Sequence, residues 1–414
     1  MSRAVLKNFL SLSVLHAANY VVPLVTMPYL TRTLGAGGFG RLAIAQAVVQ
    51  YFVILVDFGF GWSSSRLAAL HKDDPLQISS VFWSTMYAKG VLVGASLALL
   101  GIGSAFHWAE GLRPAIWANS LAILGAWLFP SWFFQGLERM TTISLINILT
   151  RASSVPLIFY FVRTREDLVW AAFIPGLTVL FAGLIGLRAA LKLGLSRPPA
   201  FRFRAARERL FEGLPIFLSV AGVSLYSTTN VILLGFVAPP QVVGYFAGAD
   251  KIRVAAIGLI PQMTNAVFPK AVKSSRDSVL SLVQAFRKFF PQIALGVAIF
   301  LFLFLGSWMI VPLVLGRAMS PAIAILQVLS VLGLVIPFNH ILGINILVAR
   351  GYSKPFSQAL LLGGLSNFAF MPMLGGHFGA MGAAVALVLV EIVVFASLLV
   401  AYGRVSHVPR TVGV

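Results

Sequence analysis

Long apolar runs separated by short polar breaks recur along the whole chain, and no stretch has the mixed composition of a water-soluble domain. The runs predict helices over about 8–30, 42–63, 78–104, 114–136, 141–162, 168–187, 213–236, 242–269, 291–316, 320–349, 356–374 and 378–402. Each is close to the roughly 20 residues that span a bilayer's hydrocarbon core. The first run, after Met1–Lys7, imitates a signal peptide. Its length, its Pro23 and Pro28, and its direct passage into another span make it read as the first transmembrane helix.

Hydrophobic residues make up 59% of the 414, and charged residues only 10%, against about 25% charged in soluble proteins. A globular core of this size cannot hide so much apolar side chain, so lipid is the solvent. The fold class expected is all-α: a polytopic membrane protein of about twelve transmembrane helices. The chain has no cysteine, which excludes disulfides, thiol nucleophiles and cysteine-ligated metals.

The net charge of +19 would suggest nucleic acid in a soluble protein. Here 21 of the 31 basic residues fall in segments on one side and 6 in segments on the other. The richer side is cytoplasmic by the positive-inside rule, which puts both termini inside. This bias accounts for most of the charge, so no nucleic-acid partner is needed. The longest loops, about 188–212 and 270–290, are cytoplasmic. Outside loops of about 5–11 residues leave no room for an extracellular catalytic or receptor domain.

Gly40-Arg41-Leu42-Ala43-Ile44-Ala45 resembles Gly244-Tyr245-Phe246-Ala247-Gly248-Ala249, 204 residues later. A fainter echo pairs Pro130 and Gly136 with Pro337 and Gly343. An offset of half the chain supports two parallel six-helix lobes, residues 1–200 and 201–414.

Charges in mid-bilayer cost at least roughly 2.5–3.5 kcal/mol on insertion scales and therefore need a reason. Four of the 31 basic residues lie inside spans: Lys89, Arg151, Lys251 and Arg253. Lys89 and Arg151 sit roughly 15 Å deep at 1.5 Å per residue, where lining an aqueous cavity serves them better than snorkelling. Lys251 points to a different face from its neighbours and has no local partner. Asp250 and Arg253 share a helix face and either serve a cargo or neutralise each other. Asp57, beside Gly59 and Gly61, is either a cavity or coupling group or a helix-end group. Glu391, amid Ala, Val and Leu, must be protonated or paired. His16 and His340 are titratable extras that more often serve packing. A cationic surplus suits an anionic cargo, and arginine matches phosphate with a planar fork of donors.

Catalytic patterns are scarce. Gly35-Ala36-Gly37-Gly38-Phe39-Gly40 lies in the first outside loop and reads as a tight turn, not a phosphate loop. No metal-ligand spacing is present. The chain is expected to be a transporter without a cofactor, driven by a proton or sodium gradient or by substrate flux.

Several blocks resemble the Wzx-type O-antigen and polysaccharide flippases. The first is Asn19-Tyr20-x-x-Pro23, then Pro28-Tyr29-Leu30, Leu34-Gly35 and Gly38-Phe39-Gly40. It continues through Ala45-Gln46, Gln50-Tyr51-Phe52, Asp57-Phe58-Gly59 and Ser65-Arg66. The second, Phe129-Pro130-Ser131-Trp132-Phe133-Phe134-Gln135-Gly136-Leu137-Glu138, is similar to that family's Pro-x-Trp-x-x-Gln-Gly stretch. Leu214-Pro215-Ile216-Phe217, Asn230-Val231 and Val243-Gly244-Tyr245 look like the start of its second half. Ala249-Asp250-Lys251 departs mildly from the Ala-Glu-Lys common there.

The resemblance implies a member of the multidrug/oligosaccharidyl-lipid/polysaccharide exporter superfamily in a bacterial inner membrane. Its cargo would be an undecaprenyl-diphosphate-linked glycan, an O-antigen or related repeat unit, translocated by alternating access. Its partners would be membrane lipids and the polymerase and chain-length regulator of the pathway. In that frame Lys89, Arg151, Lys251 and Arg253 bind diphosphate or acidic sugar. Asp57, Asp250 and Glu391 bias the inward–outward equilibrium, and Gly59, Pro130, Gly136 and Gly244 permit helix bending. Two rivals stand beside it: a drug/cation antiporter on the same fold, and a membrane-embedded glycan polymerase or ligase.

Overall fold

The computed structural model describes residues 3–195, 203–274 and 282–406, with the side chains of 3–21, 219–227, 270, 273–274 and 406 outside that description. His16 therefore lies outside the described side chains. Every described regular element is helical. In chain order they are α1 (Arg3–Asp57), α2 (Phe60–Leu70), α3 (Pro75–Ala105), α4 (Arg113–Asn119), α5 (Leu121–Leu128), α6 (Ser131–Gly136), α7 (Met140–Phe161) and α8 (Leu168–Leu191). There follow α9 (Phe203–Ser227), α10 (Thr229–Val237), α11 (Pro240–Ile257), α12 (Leu259–Ser274), α13 (Leu282–Lys288), α14 (Phe290–Val314), α15 (Ala322–Ser330), α16 (Leu332–His340) and α17 (Ser353–Ser406). A π-helical stretch, Ile341–Leu347, continues α16.

Among the described residues, eight stretches are long and apolar enough to cross a membrane. Two of them, Val22–Leu70 and Ser353–Val405, hold 49 and 53 residues, more than twice one crossing. Each is broken by a glycine: Gly35 at φ 68° and Gly379 at φ 59°, a region in which a Cβ is strained. The first expected outside loop is thus compressed to a one-residue break. Within α14 the side chains of Phe302, Leu305, Trp308, Met309 and Leu313 are exposed while Leu303 and Val311 are buried. An apolar surface of that extent belongs in lipid.

By their internal contacts the residues form two compact units, Thr33–Ala221 and Met1–Arg32 with Gly222–Val414. In the first, the core is aromatic: Phe82 meets Trp132 and Phe133 at ring-centre distances of 5.9 and 5.0 Å. Helices α5 and α8 approach so closely that a Cβ on Gly125 would lie 2.5 Å from the Val179 backbone. In the second, Ala285, Phe289, Ile341, Leu342 and Leu398 form a buried cluster. Both copies of the sequence repeat are buried in helices: Leu42 and Ala45 in α1, Phe246 and Ala249 in α11.

Candidate functional site

In the Thr33–Ala221 unit the site begins where α1 ends. Asp57 is its last residue, because Phe58 (φ 39°) and Gly59 (φ 74°) turn the chain into the left-handed region. Phe58 is held there by stacking on Phe217, ring centres 4.5 Å apart. Gly59 suits the conformation and the close packing, since a Cβ there would lie 2.9 Å from Ile216 Cβ. The turn leaves the Asp57 side chain 57% exposed.

Lys89 approaches from α3. It is 1% exposed, and its Nζ donates to Asp57 Oδ1 at 3.0 Å and to the Ala126 carbonyl at 2.5 Å. The ammonium expected to line a cavity is instead spent behind its wall. A buried lysine needs such compensation, and a carboxylate with a carbonyl supplies it.

Asp57 and Arg151 both line a cavity of about 290 Å³, together with Phe129, Ser131, Asn147 and Thr150. Arg151, on α7, is exposed. Among the described residues its guanidinium has no hydrogen-bond or ion-pair partner. The structure thus brings three expected site residues together, with one cation available and the other locked.

In the other unit, Arg253 Nε donates to Asp250 Oδ1 at 2.7 Å, and both side chains are mostly buried. The mutual neutralisation open from their spacing is therefore present. Lys251, expected from sequence to have no local partner, does have one: Asp250 acts on it electrostatically, and it engages further groups. Arg253 lines a cavity of about 450 Å³ with Gln262, Asn339, His340 and Glu391. Glu391, 8% exposed, accepts from Asn339 Nδ2 at 2.7 Å on its carboxylate and at 3.1 Å on its carbonyl. The amide oxygen of Asn339 is buried without a partner among the described residues.

A polar chain missed from sequence runs beside this cavity. Thr264 Oγ1 meets His340 Nδ1 at 2.9 Å and accepts from Gln292 Nε2 at 2.7 Å. Gln292 Oε1 in turn accepts from Asn345 Nδ2 at 2.8 Å. Asn345 sits in the π-helical stretch, a distortion frequent at functional sites. The only sequence signal was polar side chains amid apolar runs.

Of the four residues expected to bend helices, Gly59 and Pro130 stand at breaks between helices. Gly136 closes α6 against α2, where a Cβ would lie 2.6 Å from both the Ser65 carbonyl and Ala68 Cβ. Gly244 is buried inside α11. No cluster of three His, Asp or Glu side chains that could hold a metal ion occurs among the described residues.

Residues 5–275 match the model of a family described as polysaccharide biosynthesis protein. The chain belongs to that family. A protein of Escherichia coli (strain K12) named as an O-antigen transporter is 32% identical over 94% of both chains. One of Shigella dysenteriae with the same name is 30% identical over 94% of this chain and 97% of its own. The fold is shared with the lipid II flippase MurJ in an inward closed conformation, at a TM-score of 0.75 and 12% identity, covering 98% of this chain and 90% of that one. It is shared also with an inward-facing multidrug resistance MATE family transporter of the MOP superfamily, at a TM-score of 0.72 and 15% identity, covering 96% and 100%. This family member is a multi-pass membrane transporter, not an enzyme.

Proposed function

We propose that the protein is a flippase that carries an undecaprenyl-diphosphate-linked oligosaccharide, an O-antigen or related repeat unit, across the bacterial inner membrane by alternating access. In this reading the chain crosses the membrane twelve times in two six-helix lobes around a central cavity, with both termini cytoplasmic. Head group and sugars enter from the cytosol while the prenyl tail stays in lipid.

One observation carries the reading. In a chain whose relatives are named as O-antigen transporters, Arg151 faces a cavity within a bundle of membrane helices, and among the described residues its guanidinium has no protein partner. An arginine in that position is costly unless a ligand uses it. Lys251 and Arg253 supply further cationic contacts. Asp57, Asp250 and Glu391 set the balance between inward- and outward-open forms. Glu391 and the spare amide oxygen of Asn339 give a proton or sodium ion two acceptors on one cavity wall. The polymerase and chain-length regulator of the pathway are the expected protein partners.

The test is translocation of labelled lipid-linked sugar into vesicles, with glycan length followed in parallel. Wild type is expected to move the lipid without lengthening the glycan. Arg151→Leu, normally inserted, is expected to lose about ten- to a hundredfold in rate, the worth of a hydrogen bond to a charged group at roughly 1.5–3 kcal/mol. Glycan lengthening without translocation, or full activity in Arg151→Leu, overturns the proposal.

A further inference from the structure

We infer that the cavity of the Thr33–Ala221 unit is a subsite for a neutral sugar ring, recognised by Asp57, Asn147 and Arg151, and is not the seat of the diphosphate. The inference rests on the flippase reading and says which part of the cargo this cavity takes.

Charge is the first argument. Lys89 is buried behind the wall and spent on Asp57 and the Ala126 carbonyl. Lys89 neutralises Asp57 from behind, so the net charge presented by the wall is the single positive charge of Arg151. A diphosphate brings more negative charge than one arginine neutralises, in a medium that strengthens the repulsion left over. A neutral ligand meets no such penalty.

Unspent hydrogen bonding is the second argument. Among the described residues the Asn147 amide, the Ser131 hydroxyl, the Arg151 guanidinium and Asp57 Oδ2 have no protein partner, and all four residues line the cavity. The Thr150 and Thr178 hydroxyls, by contrast, donate to carbonyls of their own helices, at 2.7 Å to Ile146 and 2.8 Å to Pro175. A sugar hydroxyl donates and accepts at once. A carboxylate oxygen beside amide and guanidinium donors answers both halves of it.

Size and walls agree. About 290 Å³ lies at the lower edge of the roughly 300–1,000 Å³ of ligand pockets, enough for a ring or two but not for a whole repeat unit. The Phe129 ring offers the apolar face of a sugar a flat partner. Asp57 thereby gains a direct part in the cycle: its contact with cargo is how cargo reaches the turn at 57–59.

The natural lack of cysteine makes the test direct. Ser131→Cys puts a single thiol on the cavity wall by exchange of one atom, at the start of α6. The variant in nanodiscs is treated with a maleimide alone, with undecaprenyl diphosphate, or with undecaprenyl diphosphate bearing one N-acetylglucosamine. Binding of each lipid is followed separately by native mass spectrometry. The sugar-bearing lipid is expected to slow labelling about tenfold at about ten times its dissociation constant, while the bare lipid leaves it unchanged. Adding Asn147→Leu, which removes no charge, is expected to abolish the protection. Equal protection by both lipids puts the diphosphate in the cavity and overturns the inference. If the sugar-bearing lipid binds but leaves the thiol open, the subsite alone falls. If it does not bind at all, the flippase reading falls with it.

Discussion

Lys89 stands in for the amide hydrogen that Pro130 lacks. In α5 the Phe129 amide bonds to the Gly125 carbonyl at 2.9 Å. The next carbonyl, Ala126, would take its hydrogen from residue 130, a proline with no N–H. The Lys89 ammonium fills that vacancy from α3 and holds Asp57 with the same nitrogen. One proline thus fixes the lysine, and the lysine fixes the carboxylate at the cavity wall.

Lys89→Met is therefore expected to strand both a carbonyl and a carboxylate. Losing one partner of a fully buried pair costs about 3–5 kcal/mol. With Asp57 57% exposed, the loss here is expected at roughly 2–3 kcal/mol, below that range. Thermal unfolding in detergent measures it. Pairing the change with Asp57→Asn should recover part of the loss, because the uncompensated charge is then gone. A double variant no more stable than Lys89→Met would show that the pair is not what Lys89 stabilises.

Pro130→Ala gives Ala126 its helical donor back. The expected result is a protein at least as stable as wild type, with α5 running on into α6 and transport reduced. The fluorescence of Trp127, whose indole donates to the Met86 carbonyl at 2.9 Å, reports the rearrangement. Unchanged transport with a straightened helix would mean that the break at 129–130 positions nothing needed for the cycle.

In the other unit the matching dependence is Glu391 on Asn339. Asn339→Leu removes a donor 2.7 Å from a buried carboxylate oxygen. Leaving a buried acceptor without its donor costs roughly 1–3 kcal/mol, so a loss of that order is expected in unfolding measurements. Glu391→Gln keeps an acceptor for Asn339, so it is expected to stay close to wild type in stability while losing any dependence of transport on an ion gradient. Gradient dependence intact in Glu391→Gln would move the coupling role elsewhere.

The helices were legible because lipid demands them: the runs expected at 141–162, 168–187 and 291–316 appear as Met140–Phe161, Leu168–Leu191 and Phe290–Val314. The break at 258 was not, because one glycine leaves an apolar run apolar while it redirects the backbone; those at 58–59 and 129–130 fall at Gly59 and Pro130, which the sequence marked only as points of bending within a span. Arg151 could be singled out as a charge in the wrong solvent, and in the structure it lies exposed on the wall of the Thr33–Ala221 cavity. That Lys89 answers Asp57 could not be read, since they stand 32 positions apart on separate helices. The Thr264, Gln292 and Asn345 chain is uncharged, so a search for intramembrane charge passes over it.

Acid should loosen the chain first at its loops. Asp74 caps α3, its Oδ1 accepting the Leu76 and Gln77 amides at 3.0 Å each. The Gln77 backbone bond leads in holding its carboxyl below the ordinary 3.8. Asp167 does the same before α8, where the Arg163 and Thr164 amides hold its carboxyl down. A carboxyl depressed by folding adds stability that is present above its unfolded value and is lost as pH falls through the folded one. Both groups are exposed, so the effect is small and confined to pH below about 4. Asp74→Asn keeps an oxygen acceptor for the helix start but cannot be protonated. Melting temperature followed from pH 7 to 3 is expected to fall less steeply in Asp74→Asn than in wild type at the acid end, and to lie slightly below it at neutral pH, where the carboxylate also favours the helix N-terminus. Parallel curves would mean that the cap at Asp74 carries none of the acid sensitivity.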